Sequence, residues 1–129
     1  MYWRTTDDGA CVPRPENFCR NRLLESLKPR LASNGVIARP EDQQADDTRA
    51  DVGLWVQLDR TAFRLPLEAK CEDEARVWTA WSDQLEGYAR DRQAQDFGIY
   101  LVFWFGLNPR PHPNTRQKPT SAQEMREML

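Results

Sequence analysis

Two neighbouring segments with alternating apolar residues constrain this chain more than any other feature. Residues 51–58 read DVGLWVQL and residues 63–70 read FRLPLEAK, with a short connection over 59–62. Such alternation is typical of β-strands that bury one face. A four-residue loop places Leu58 opposite Phe63, so that each apolar residue of one strand faces an apolar residue of the other. The sequence therefore predicts an antiparallel hairpin.

The opposite face of this hairpin carries charged residues. The same register places Asp51 across from Lys70 and Gly53 across from Glu68, so two acids and one amine meet at one end of the hairpin. Diagonal neighbours on a sheet face lie about 7–8 Å apart, which lets two carboxylates reach one ion. Pro66 conflicts with a regular central strand, because proline lacks the ladder N–H. It indicates either a bulge or a register shift by one residue.

The rest of the sequence predicts helices and strands in alternation. A helix begins at Pro15 with leucines at helical spacing, and Pro29 is expected to end or kink it. A short strand begins over 36–38. Residues 73–93 form a second helix, and residues 98–105 form a strand that is apolar on both faces and therefore fully buried. A strand, a helix and a strand in this order imply a right-handed crossover with parallel pairing.

Three polar residues fall on helix faces that are otherwise apolar. Glu16 lies on the face of the first-helix leucines at about 100° per residue, although an acid in the first turn can equally be solvated. Gln84 lies one turn before Tyr88, within the apolar stripe of the second helix. A buried amide is costly unless it is hydrogen-bonded, so we expect Gln84 to have a specific partner.

Length and charge limit the domain organisation and the possible functions. The 129 residues form about one domain, and a formal net charge of −2 excludes a protein that holds nucleic acid by bulk positive charge alone. We predict an irregular segment over 1–14, a folded domain over 15–106, a proline-rich basic linker over 107–119 and a C-terminal helix over 120–129. The capping box Ser121-Ala122-Gln123-Glu124 starts this last helix, whose shortness indicates truncation.

The cysteine, histidine and apolar residues do not fit a disulfide-rich protein, a zinc protein or a membrane-spanning protein. Cys11, Cys19, Cys71 and the single His112 support neither a disulfide framework nor a structural zinc site. A reduced cytoplasmic setting is therefore expected, and any metal would be held by oxygen. The longest apolar run, Ile99 to Phe105, is seven residues long and too short to cross a bilayer, so no membrane partner is expected.

The order of these features resembles the PD-(D/E)xK nuclease superfamily. The matching features are the first helix, the strand at Asp51, the sequence Glu68-Ala69-Lys70, the helix with Gln84 and Tyr88, and the buried strand. The spacing of Gln84 and Tyr88 is similar to the QxxxY motif of the RecB-like branch. Residues 78–106 also resemble the nuclease-like domain of large uncharacterised bacterial proteins. The resemblance implies a restriction-endonuclease-like α/β fold, an αβββαβ core whose mixed sheet is flanked by helices.

The resemblance also implies metal-dependent hydrolysis of phosphodiester bonds in nucleic acid, DNA in preference to RNA. Asp51, Glu68 and the backbone carbonyl of Ala69 are the implied ligands of Mg²⁺ or Mn²⁺, with Glu16 as a further ligand by analogy. Carboxylate and carbonyl oxygens are the hard ligands that Mg²⁺ prefers. Lys70 is the implied residue that orients or helps to deprotonate the attacking water and stabilises the developing charge.

Several alternatives stand beside the nuclease hypothesis. Gln84 and Tyr88 are implied to position substrate or to support the metal ligands, but they can also simply pack on a helix face. Asp51 and Lys70 can form an ordinary cross-strand ion pair. The chain is then a nuclease-fold module that binds or assembles within a larger bacterial defence or mobile-element protein without hydrolysis. A toxin-like RNase on the same scaffold is a third hypothesis.

Overall fold

A four-stranded mixed sheet with helices on both faces organises the part of the chain that the structure describes. The structure is a computed structural model that describes residues 2–40, 51–90 and 94–129. Its elements are β1 (Trp3–Thr5), β2 (Cys11–Pro13), α1 (Glu16–Ala32), β3 (Val36–Pro40), β4 (Val52–Leu58), β5 (Thr61–Cys71), a π-helical turn (Trp81–Leu85), α2 (Glu86–Ala89), β6 (Ile99–Phe103) and α3 (Ala122–Met128). The prediction of a mixed α/β chain is confirmed.

The sheet has the strand order β3-β4-β5-β6. Antiparallel pairing joins β3 to β4 and β4 to β5, and β6 pairs parallel to β5 as predicted. On one face, Leu24 of α1 packs with Val52 and Leu67. On the other face, Val77 and Met125 pack with β6. The sheet therefore separates two apolar layers.

The predicted hairpin exists, but its predicted register is wrong. Leu58 pairs with Thr61 across a two-residue turn, and Gly53 pairs with Pro66 where the prediction had Glu68. The strands are thus shifted by two residues, and the pairs from 52 to 58 run without a bulge. Pro66 is tolerated because the pairing of β5 with β6 begins only at Leu67, so no β6 neighbour needs its missing N–H.

Helix α1 follows the leucine pattern but passes through its proline. Pro15 precedes the first helical residue, and Pro29 lies inside the helix, which ends at Ala32. Of the two predicted effects of Pro29, the end of the helix is therefore wrong, and a kink stays a prediction. The chain leaves the helix through a turn in which the N–H groups of Asn34 and Gly35 donate to the carbonyls of Leu31 and Ala32, and Gly35 adopts a φ of 73° that favours glycine.

The second predicted helix is wrong over its first half. Residues 75–79 form turns, and helix begins only at Ala80. Two carbonyl groups that the start of this helix would use accept other donors. The backbone N–H of Arg110 donates to the Glu72 carbonyl at 2.8 Å, and the Arg110 side chain donates to the Asp73 carbonyl at 2.6 Å. Trp81, in the helical part of this segment, is 43 % exposed. Residues 91–93, at the end of this prediction, lie outside the described residues.

Strand β6 is only partly buried, which contradicts the prediction of a fully buried strand. It forms one edge of the sheet, and its first residue, Ile99, is 36 % exposed. Edge strands retain a solvent-facing side even when their sequence is apolar throughout. No helix in the described ranges combines the length and the apolar character needed to span a membrane.

The two ends of the chain carry structure of their own. The segment predicted to be irregular over 1–14 contains the two-stranded antiparallel sheet β1-β2. One half of the capping box is confirmed, because the Ser121 side chain accepts from the backbone N–H of Glu124 at the start of α3, while the Glu124 carboxylate accepts from the N–H of Thr120. Residues 107–119 contact the chain that follows β5, since Trp78 donates its indole N–H to the Arg110 carbonyl. The division at residues 106 and 119 stays a prediction.

Candidate functional site

Four of the predicted site residues meet where α1 begins and where β4 and β5 lie side by side. Glu68 and Lys70 lie on one face of β5, and Asp51 immediately precedes β4. Glu16 is the first residue of α1 and reaches the same place. Because the register shift is an even number of residues, Glu68 and Lys70 keep the face of β5 that was predicted. The end of the sheet therefore holds three acids and one amine.

Asp51 is held by both of its carboxylate oxygens. Arg20 donates to Asp51 Oδ1 at 2.8 Å, and the backbone N–H of Ala69 donates to Oδ2 at 2.9 Å. The Asp51 side chain is only 3 % exposed. A buried carboxylate needs such partners, because an unpaired charge away from water is costly. The arginine on α1 and the strand amide therefore fix this carboxylate in place.

Lys70 stands at the centre of the cluster. Its Nζ lies 2.7 Å from Glu68 Oε1, 3.1 Å from the Ala69 carbonyl oxygen and 3.6 Å from Glu16 Oε1. Glu16 also accepts from the backbone N–H of Cys71 at 3.2 Å. The ammonium group is thus surrounded by oxygens that the resemblance implies as metal ligands. The predicted cross-strand pair of Asp51 and Lys70 is replaced by pairs of Lys70 with Glu68 and Glu16 and of Arg20 with Asp51.

Burial and mutual repulsion shift the protonation of the two glutamates in this cluster. Burial raises the pKa of Glu68, the hydrogen bond from Lys70 opposes that change, and the negative charge of Asp51 adds to it. The pKa of Glu16 is raised for the same first reason, with Lys70 opposing. Both carboxyl groups therefore ionise less readily than ordinary glutamates.

The pKa of Lys70 shifts in the direction that keeps the amine protonated. Burial alone lowers the pKa of Lys70, but the hydrogen bond to Glu68 and the charges of Glu68, Glu16 and Asp51 outweigh burial and raise the pKa above its ordinary value. Lys70 is consequently protonated at neutral pH. In this arrangement it serves as a positive charge rather than as a base.

Gln84 and Tyr88 lie in the helical part of the segment between β5 and β6. Gln84 belongs to the π-helical turn and Tyr88 to α2, and both of these elements contact β5. Gln84 is 8 % and Tyr88 9 % exposed. Such burial leaves little surface for contact with substrate. It agrees with two of the predicted roles, packing on a helix face and support of the metal ligands. Their predicted roles at the site stay predictions.

Sequence reasoning gave no site role to two residues that contact or adjoin the cluster. Arg20 follows Glu16 by four residues, so it lies on the same helix face, and this spacing was a usable signal. Tyr100 pairs with Glu68 in the parallel register. Burial, together with the negative charges of Glu68 and Glu16, raises the pKa of Tyr100. No spacing rule links it to Glu68, because strand register is set by tertiary packing.

The donor atoms of the cluster suit a hard cation. Among the described residues, no three histidine, cysteine or acidic side chains are grouped closely enough to hold a metal ion by themselves. The oxygens around Lys70 Nζ include a backbone carbonyl beside two carboxylates, and they already surround one positive charge. Carboxylate and carbonyl oxygens of this kind are chemically suited to Mg²⁺ or Mn²⁺.

No protein-family model, no curated protein and no solved structure matches this chain.

Proposed function

We propose that this chain hydrolyses phosphodiester bonds in nucleic acid, with DNA preferred over RNA, and that it uses Mg²⁺ or Mn²⁺. The proposal includes a restriction-endonuclease-like fold of the PD-(D/E)xK type. The observation that carries it is the position of Lys70 Nζ, within 3.6 Å of oxygens from Glu68, Ala69 and Glu16. An amine and several hard oxygen donors at one point are what the chemistry requires.

Each residue of the cluster has a distinct part in this proposal. Glu68, the Ala69 carbonyl and Asp51 would hold the metal, with Glu16 as a further ligand. A bound Mg²⁺ supplies Lewis-acid charge that neutralises the phosphate. Lys70 stays protonated, so it orients the attacking water and stabilises the negative charge that develops on the phosphate oxygens.

The residues around the cluster hold this arrangement in place. Arg20 and the N–H of Ala69 keep the Asp51 carboxylate oriented towards β5. The predicted supporting roles of Gln84 and Tyr88 belong to the same proposal, since both are buried in elements that contact β5. Pre-orientation of this kind matters because small displacements of reacting groups cost large factors in rate.

Cleavage assays on purified full chain test the proposal. Linear and circular DNA and a matched RNA are incubated with Mg²⁺ or Mn²⁺, with EDTA as the metal-free control. We expect Asp51→Asn and Lys70→Ala each to lower the cleavage rate at least about a hundredfold, since removal of one charge-stabilising group costs about that much. Glu25→Gln, on an exposed acid of α1, is the matched control. Equal cleavage by wild type, Asp51→Asn and Lys70→Ala would refute the assignment.

A nuclease-fold module without hydrolysis is the alternative, and the closed charge network favours it. Lys70 and Arg20 already neutralise two of the three acids without a metal. This alternative predicts no heat of binding when Mg²⁺ or Mn²⁺ is titrated into the chain. The nuclease proposal predicts micromolar to millimolar uptake, lost in Glu68→Gln.

A further inference from the structure

The sheet face that carries Glu68 and Lys70 is covered unevenly. Over β6 it is packed by Val77, Trp78 and Met125. Over β3 and the adjacent part of β4 it opens to solvent, since Ile37 is 52 % exposed and Arg39 is also exposed. Apolar and basic side chains on an open sheet face are typical of a binding surface.

Trp55 is the centre of this open surface. The register places it between Ile37 on β3 and Arg64 on β5. The Arg64 guanidinium lies over the indole ring, with its Cζ 5.8 Å from the ring centroid. Trp55 is half-buried, so its position is fixed while part of the ring stays accessible. An indole held in this way is suited to stacking against a flat aromatic ligand.

A concavity of about 290 Å³ opens beside the ring. Its lining includes Ile37, Arg39, Trp55, Gln57 and Ala62, and we call these residues together with Arg64 the Trp55 face. Among the residues that the structure describes, none of those lining the concavity is acidic. Arg39 forms no ion pair with any residue in the described ranges. A chain with a formal net charge of −2 thus presents a locally basic surface with an aromatic centre.

We propose that the Trp55 face binds an unpaired stretch of a nucleic-acid strand, with a base stacked on Trp55 and a phosphate paired with Arg39. This inference rests on the proposed function for its link to cleavage. Arg64, the cross-strand partner of Trp55, and Glu68 are four residues apart on β5 and share a sheet face, which places Trp55 and Glu68 about 13 Å apart along the strand. A stacked strand advances about 3.4 Å per nucleotide, so the stacked base lies about four nucleotides from the scissile phosphate.

The unpaired state follows from the geometry of stacking. The bases of a duplex are already stacked on each other and present only their edges in the grooves. A tryptophan in a shallow concavity meets a base face only when the base is unpaired. The guanidinium of Arg39 supplies the complementary charge for the phosphate backbone. The Trp55 face therefore distinguishes single strands from duplexes.

Binding of a fluorescein-labelled single-stranded oligonucleotide to the full chain tests the proposal. Fluorescence anisotropy is measured in EDTA, so that no cleavage occurs, over a series of NaCl concentrations. We expect Trp55→Ala to raise Kd about tenfold with an unchanged salt slope, and Trp55→Phe to restore most of the affinity. We expect Arg39→Gln to reduce the slope of log Kd against log[NaCl] by roughly 0.7, the value for one lost phosphate contact on a single strand.

Controls separate this proposal from folding defects and from the nuclease proposal. Arg30→Gln, on an exposed arginine of α1, should leave Kd within about twofold. Circular dichroism checks that each variant is folded, and Arg39→Gln keeps the test decisive if Trp55→Ala unfolds. Wild-type affinity in Trp55→Ala together with an unchanged salt slope in Arg39→Gln overturns the Trp55 face. Tighter binding of a matched duplex, or no binding at all, also overturns it. If Trp55→Ala unfolds, an unchanged salt slope in Arg39→Gln alone is the refuting result.

The two proposals fail in different ways. If binding depends on Trp55 and Arg39 but no cleavage is found with Mg²⁺ or Mn²⁺, the Trp55 face stands and the nuclease proposal fails. If cleavage depends on Asp51 and Lys70 but substitution of Trp55 and Arg39 leaves Kd unchanged, the nuclease proposal stands and the Trp55 face fails.

Discussion

Two buried glutamates lie four residues apart around the end of β5, and their carboxylates have different kinds of hydrogen-bond donor. Glu68 and Glu72 are each 2 % exposed. Glu68 has the Lys70 ammonium as its partner at 2.7 Å. Glu72 accepts four backbone N–H groups, from Phe105, Gly106, Leu107 and Asn108, at 2.7 to 3.2 Å.

The partners, more than the burial, distinguish a candidate site from a structural anchor. The four amides that bind Glu72 belong to one stretch of backbone, so they hold the carboxylate and cannot leave without unfolding that stretch. The partner of Glu68 is a flexible side chain whose charge a cation can replace. Removing Glu72 should therefore damage the fold, and removing Glu68 should damage only the proposed chemistry.

The largest expected effect is the loss of stability in Glu72→Ala. The substitution leaves four amides without their acceptor, and we expect a loss on the order of 3 kcal/mol in the free energy of unfolding. Urea denaturation followed by circular dichroism measures it. Hydrogen exchange should show that the amides of residues 105–108 lose their protection.

Glu74→Ala is the matched control for this substitution. Glu74 is an exposed acid two residues further along the chain, so its removal should change the free energy of unfolding by less than about 0.5 kcal/mol. If Glu72→Ala behaves like this control, the anchor role of Glu72 is wrong.

A smaller effect is expected when Lys70 is replaced by methionine. The ammonium occupies the space among the oxygens of Glu68, Ala69 and Glu16, so it competes with a metal for the same donors. We expect Lys70→Met to bind Mn²⁺ about fivefold more tightly in calorimetry, the factor that corresponds to about 1 kcal/mol for one partly buried ion pair. Cleavage is lost in the same variant.

Lys28→Met removes an exposed ion pair on α1 and serves as the control. Weaker Mn²⁺ binding in Lys70→Met than in wild type would mean that the lysine supports the metal site instead of competing for it. The contrast between an exchangeable and a fixed partner would then be wrong.

The sequence was sufficient to predict the faces of the hairpin but not its register. Alternation of apolar residues is satisfied equally by registers that differ by two residues, so it could not distinguish Leu58 opposite Phe63 from Leu58 opposite Thr61. The shift left Glu68 and Lys70 on their predicted face. Predictions that depend only on side-chain alternation therefore survived, whereas the predicted cross-strand partners did not.

Features that depend on distant contacts could not be predicted from sequence patterns. The turns over 75–79 replace a predicted helix where Arg110, more than thirty positions away, donates to the carbonyl groups of Glu72 and Asp73. The anchor at Glu72 depends on backbone amides more than thirty positions away. No local propensity encodes such a partner, since amide donors are the same in every sequence.

The smallest effect concerns the pH dependence of stability in Glu68→Gln. The folded chain raises the pKa of Glu68 above its ordinary value of 4.5, first through burial. Its contribution to stability is therefore fully present below pH 4.5 and is lost as the pH rises through the folded-state pKa. Glutamine resembles the protonated acid and does not titrate. The Tm of the variant relative to wild type should thus rise between about pH 4 and pH 8.

Thermal melts in EDTA across this range measure the difference, with Glu25→Gln as the exposed control. Lys70 stays protonated throughout, because its pKa lies above 10.5, so its charge does not contribute to the change. If the Tm of Glu68→Gln falls relative to wild type as the pH rises, the pair with Lys70 outweighs the cost of burial. Glu68 would then be a structural anchor like Glu72, and the distinction between Glu68 as a site residue and Glu72 as an anchor would be wrong.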